Sequence, residues 1–241
     1  MTSPVVDRIR AHLHTVALLR AQRHADPVLA ERVRAVKTYQ ARRFEHTYTD
    51  LLASPRYRAA ARFFLEELYG AQEFAERDSH FTRVVPALVR LFPRAMVDAV
   101  GTLVQLHALS EVLDSRMGAN LDGVDVDASR YIEAWCATGM VESRERQIAL
   151  TLEVGTALDA LTRKPLLRNS LRLMRRPAHA AGLGALQGFL ETGFDTFRAM
   201  GGAQEFLSMI ESREHRLADA LFAAGGQVDP GARVDALGQL P

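Results

Sequence analysis

Apolar residues recur along the whole chain at intervals of three and four, and no alternating run flanked by hairpin-turn residues interrupts them. This pattern predicts an all-α multi-helix bundle. The punctuation is legible. Asp26-Pro27, Ser54-Pro55, Phe92-Pro93 and Lys164-Pro165 place proline where a first helical turn tolerates it, and Asp26 and Ser54 are good N-caps. Gly70, Gly118 and Gly201-Gly202 mark helix stops. The expected helices, about ten, lie near 4–24, 27–52, 55–69, 72–91, 93–117, 128–139, 143–163, 165–175, 178–200 and 203–223, with Pro86 kinking the fourth. Residues 1–54 read as an N-terminal helical pair, 55–224 as the bundle, and 225–241, broken by glycine and proline, as a flexible tail.

The most distinctive stretch is Arg62-Phe63-Phe64-Leu65-Glu66-Glu67-Leu68-Tyr69-Gly70, followed by Glu76-Arg77-Asp78. Ala61, Phe64, Leu65 and Leu68 fall on one helical face, widened by Phe63, while Arg62, Glu66 and Glu67 face outward. Val84, Val85, Leu88, Val89 and Phe92 form a second stripe, so the segment reads as two helices hinged at Gly70, with Glu76, Arg77 and Asp78 as a polar cluster between them. The segment resembles an uncharacterised family of bacterial all-helical proteins. In that family a Phe-Phe-Leu-x-x-Leu-Tyr-Gly run precedes a Glu/Gln-Arg-Asp element and a hydrophobic helix. The resemblance covers Arg62 to about Gly118 and, more loosely, Phe189 to Glu214. It implies an all-α fold and carries no activity across.

Charge changes the picture because it is segregated. The net charge is only +1, yet residues 1–62 carry +7, residues 63–160 carry −8 and residues 161–241 carry +2. Ends of one sign attract a middle of the other, within one chain or between two, so a homo-oligomer is expected. Lys37 and Lys164 are the only lysines among 30 basic residues, an arginine bias that reflects codon composition and discounts each single Arg as a phosphate ligand. Cys136 is the only cysteine, which suits a reducing compartment. The N-terminal residues lack a basic start followed by an apolar run, and no apolar stretch reaches the ~20 residues of a membrane span. A cytoplasmic protein without a transmembrane segment is expected.

His107 is the leading candidate for a working residue. It follows Val100 and Val104 on one face of the 93–117 helix, and Glu111 and Asp114 continue the same stripe. A His with two carboxylates in line can orient an imidazole, and with Trp135 it would border a ligand pocket that takes a small molecule, haem or another tetrapyrrole. The paired Glu-x-x-His spacing of a di-metal bundle is absent, since Glu76 to His80 and Glu211 to His215 are each four apart, and no His-Glu-x-x-His occurs. Neither metal nor cofactor is assigned.

A second candidate is the basic helix 163–176, which holds six cations and no acid. Arg168, Arg172, Arg175 and Arg176 line one side, beside Leu167, Leu171 and Met174. They would meet the acidic middle segment of the chain itself or of a second subunit, or an acidic protein partner, ahead of nucleic acid or an anionic membrane surface; with no aromatic among them, single-stranded nucleic acid is disfavoured. Gly182, Gly184 and Gly188, with Ala180 and Ala181, read as a helix face stripped of bulk, since a dinucleotide loop would need other spacing and a preceding strand. Gly-Ala-Gln-Glu-Phe recurs at 70–74 and 202–206, and Glu-Ser-Arg-Glu at 142–145 and 211–214, at unequal separations that define no repeat. No nucleophile elbow or Walker loop is present, and Cys136 beside Trp135 reads as packing. The expectation is therefore a non-enzymatic binding or regulatory module working through protein–protein contacts; the alternative is a helical-bundle binder of a small molecule or tetrapyrrole at His107, and an enzyme ranks third.

Overall fold

The computed structural model of the chain describes residues 4–68, 89–164, 166–225 and 230–241. Among them are eleven helices and no strand, as the three-and-four periodicity requires. In chain order these are α1 (Pro4–Ala25), α2 (Pro27–Thr47), α3 (Thr49–Ala53), α4 (Arg58–Glu67), α5 (Arg94–Asn120), α6 (Ala128–Thr138), α7 (Val141–Thr162), α8 (Leu167–Ala180), α9 (Gly184–Met200), α10 (Gln204–Ala223) and α11 (Pro230–Gly238). Of the two caps expected, the Asp26 carboxylate accepts the Leu29 amide at 3.0 Å, whereas Ser54 ends α3 and α4 opens at Arg58 after Tyr57; Asp127, not singled out from sequence, accepts the Arg130 amide at 2.8 Å.

The 27-residue α5 is the axis of the fold, packed by α1, α2, α6 and α7. It alone among the described helices has the length and apolar content to cross a bilayer. Half of its most apolar window is covered by the bundle, the pattern of a core helix. Two apolar clusters flank it. The larger is built on the rings of Phe63, Phe64, Phe197 and Phe206, with Phe64 and Phe206 meeting edge to face at 5.2 Å. The smaller gathers Tyr39, Met117, Tyr131, Trp135, Leu217 and Leu221, with Tyr39 stacked on Tyr131 at 4.6 Å. The phenylalanines of the distinctive segment, Phe63 and Phe64, thus serve as core; its polar cluster Glu76, Arg77 and Asp78 lies outside the described residues.

Four expectations need correction. Gly118 does not stop a helix. It lies inside α5, where a Cβ would stand 2.6 Å from a Val33 methyl and 3.1 Å from the Val33 amide nitrogen, so its missing side chain lets α2 lie close against α5. The 178–200 helix is two pieces: α8 continues through Pro177 to Ala180, Gly182 turns the chain at φ +77°, and α9 starts at Gly184. Within the face read as stripped of bulk, a Cβ at Gly188 would meet nothing within 4 Å, while one at Gly184 would stand 2.7 Å from the His179 ring and one at Gly193, further along α9, would meet Phe63 and Leu158 at 3.0–3.1 Å. Residues 230–238 of the expected flexible tail form α11, and Ala236 and, just beyond the helix, Leu240, 0% and 6% exposed, pack in the smaller cluster. With only nine residues, α11 is too short to display a repeating stripe, and its exposed Val234 and Leu237 obscure the pattern further.

Candidate functional site

Where the two apolar clusters meet, α5 and α7 leave a cleft between them. On α5 it is lined by Leu103, Leu106, His107, Ser110, Glu111 and Asp114, and on α7 by Arg144, Gln147, Ile148 and Thr151. Both sets follow one helical face at three- and four-residue steps. With its open mouth the cleft encloses about 1500 Å³. His107, Glu111, Asp114 and Trp135, four residues singled out from sequence, all line it.

The two ends of the cleft differ. At one, Leu68, Leu186 and Phe189 from α4, α9 and their flanks join Leu103 and Leu106 in an apolar wall, with Glu67 at its edge. At the other, Lys37, Gln40 and Arg43 of α2, Tyr131 and Trp135 of α6, and Glu214 of α10 form a polar and aromatic floor.

The floor is held by buried charges. Glu111, 3% exposed, accepts from Arg23 of α1 at 2.6 Å and from Lys37 of α2 at 2.5 Å, and Arg23 also donates to Ser115 at 2.9 Å. Burial acts against the Glu111 carboxylate, but Lys37 and Arg23 outweigh it and hold it down to about 2. Glu214 is fixed in the same manner, accepting from Arg43 at 2.5 Å and from the Tyr48 hydroxyl at 2.7 Å. Asp114 behaves oppositely. Burial pushes its carboxyl above the usual range; Lys37 opposes the shift and Glu111 reinforces it, while Gln40 donates to it at 3.2 Å. The carboxylates in line on α5 therefore divide into a fully ionised group and one inclined to keep its proton.

Arg144 completes the floor. Its guanidinium lies 3.9 Å from the centre of the Trp135 ring, and it donates to Gln147 and to the Met117 sulfur. Gln147 in turn donates to Ser110 at 2.8 Å, tying α7 to α5. The Trp135 ring nitrogen is buried and has no hydrogen-bond partner. Sequence reasoning missed Lys37, Arg43, Arg144 and Gln147. The signal for the last two was there: Arg144, Gln147, Ile148 and Thr151 share the spacing of an apolar stripe, so polar groups occupy a face that should be buried. Arg43 carries the same mark, seven residues after Val36 on the buried stripe of α2, with Lys37 beside it; their acid partners could not be read, because only the fold brings α2 against α5 and α10.

The basic helix is α8. Arg168 forks onto Asp195 at 2.8 and 2.9 Å and Arg175 onto Glu191 at 2.5–2.9 Å, so two of its arginines bind acids of the adjacent α9. Those acids lie outside the acidic middle segment to which they were expected to turn. Arg172 and Arg176 stay exposed, as do Leu166 and Leu173 at 76% and 78%. Cys136 gives its thiol to the Leu221 carbonyl at 3.1 Å, and burial pushes its pKa up, which disfavours the nucleophilic thiolate. Among the described residues no three His, Cys, Asp or Glu side chains cluster as a metal site.

No curated relative and no solved structure matches the chain. A family model does, over residues 19–228, a span that opens in the last two turns of α1, takes in Arg23 and every described residue of the cleft except Leu13, and ends beyond α10. The chain belongs to the family described as domain of unknown function DUF8198.

Proposed function

We propose that this protein binds a small amphipathic molecule in the cleft between α5 and α7. The observation that carries the reading is the division of one cavity into an apolar wall at Leu103, Leu106, Leu186 and Phe189 and a hydrogen-bonding floor at Lys37, Gln40 and Trp135. Most ligand pockets pair an apolar lining with a few placed polar groups in this way. His107, half-buried, is the imidazole on the lining, and a Soret band on adding haemin, lost in His107→Ala, would read out a tetrapyrrole as the member of the class.

The test is titration with the dye 1-anilinonaphthalene-8-sulfonate. A saturable single-site enhancement is expected, abolished by Ser110→Phe, which fills the seam with a ring. No enhancement, or one untouched by the plug, would remove the cleft as the binding site.

A second reading is a protein–protein module, and α8 favours it. Leu166 and Leu173 lie two turns apart on an exposed face beside Arg172 and Arg176. Sedimentation velocity at micromolar concentration should then show self-association that Leu173→Lys reverses; a monomer throughout discards the homodimer.

A further inference from the structure

Resting on the reading of the cleft as a ligand site, we infer that its ligand is an organic acid, with an anionic head at the Lys37–Trp135 end and a hydrocarbon body along Leu103, Leu106, Leu186 and Phe189.

The first support is elimination. A cationic head needs an ionised carboxylate with a free face, and the floor has three candidates. Glu111 is already shared by Arg23 and Lys37, at 2.6 and 2.5 Å. Glu214 is held by Arg43 and Tyr48, at 2.5 and 2.7 Å. Asp114 is 5% exposed and accepts from Gln40, and burial pushes its carboxyl up, which disfavours the charge that a cation would pair with. An ammonium head would have to displace one of the buried pairs or pair with a carboxyl that burial disfavours as an anion.

The second support is the donor set. Lys37 has three N–H bonds and spends one on Glu111. The ring of Trp135 lines the cleft, and its N–H is buried without an acceptor, a state relieved when something accepts from it. A carboxylate brings only acceptors, two oxygens with about four lone-pair sites, and bonds to a charged acceptor are about twice as strong as neutral ones.

Trp135 is the only tryptophan, so its emission reports from the cleft lining with no competing signal. The experiment is calorimetric titration of the whole protein with decanoate, decan-1-ol and decylammonium, each below its aggregation concentration, while Trp135 emission is recorded. Decanoate is expected to bind at least tenfold tighter than the alcohol and to shift the emission, with decylammonium weakest. In Lys37→Gln the decanoate affinity should fall at least tenfold and the decanol affinity stay the same. Equal or tighter binding of decylammonium, or equal binding of acid and alcohol, overturns the organic-acid assignment and leaves the cleft as a site of other chemistry. Binding of none of the three, with Trp135 emission unmoved, sinks the cleft reading itself. If Lys37→Gln does not fold, the three-probe comparison on the unaltered chain decides alone.

Discussion

Arg23 of α1 and Lys37 of α2 approach Glu111 of α5 from two different helices, so a single carboxylate fastens the N-terminal pair to the axis of the bundle. Both cations are largely shielded, with 9% and 13% side-chain exposure. Removing the acid leaves two charges facing each other without compensation. Glu111→Gln should therefore cost about 3–5 kcal/mol, well beyond an ordinary surface pair. Chemical denaturation checks this, and a loss under 1 kcal/mol would show the triad to be solvated.

The pH dependence of stability carries two opposing contributions. Glu111 is held down to about 2 in the fold, below its ordinary 4.5, so its contribution is complete above pH 4.5 and disappears as pH falls toward 2. Asp114 is raised above 3.8, so ionising it at higher pH weakens the fold. Gln40, Lys37, Glu111 and Arg144 are the groups that bear on it. Asp114→Asn is expected to stabilise the protein at neutral pH and to flatten the stability profile above pH 4. Melting curves from pH 3 to 8 test both signs.

Gly118 sets how near α2 comes to α5. An alanine there would press on the backbone nitrogen of Val33 as well as its methyl, and only the methyl can swing away. Gly118→Ala should destabilise by about 1–3 kcal/mol, and adding Val33→Ala should recover only part of it. Full recovery would place the strain in the side chain alone.

Deleting 230–241 should lower the melting temperature, because Ala236 and Leu240 leave the cluster that holds Tyr131 and Trp135. Trp135 emission in the truncated chain should shift to longer wavelength as Phe222, 5.5 Å from its ring, loosens. An unchanged melting temperature would show that α11 docks without contributing to stability.

The helices were readable because each writes its own spacing: Asp26-Pro27 announces a start, and the stripe of Val100, Val104 and His107 lies on one face of α5 by arithmetic alone. His107, Glu111, Asp114 and Trp135 could be named for the same reason, since three share a helix and the fourth is the lone indole. Their partners could not. Lys37, Arg43 and Arg144 lie 74, 171 and 27 residues from Glu111, Glu214 and Met117, separations that only folding closes. The division of α8 from α9 was hidden because Pro177 lies within a helix that tolerates it, while the true turn is at Gly182.

Sharing Glu111 between anchorage and cavity constrains how this protein can change. Under the proposed reading of the cleft, a substitution that retunes the floor toward a differently charged guest would also unfasten α1 or α2, and one that loosens the N-terminal pair would alter the electrostatic potential that the guest meets. Diversification of such a preference would be channelled toward the apolar wall, where Leu103, Leu106, Leu186 and Phe189 can vary in size without disturbing a charge.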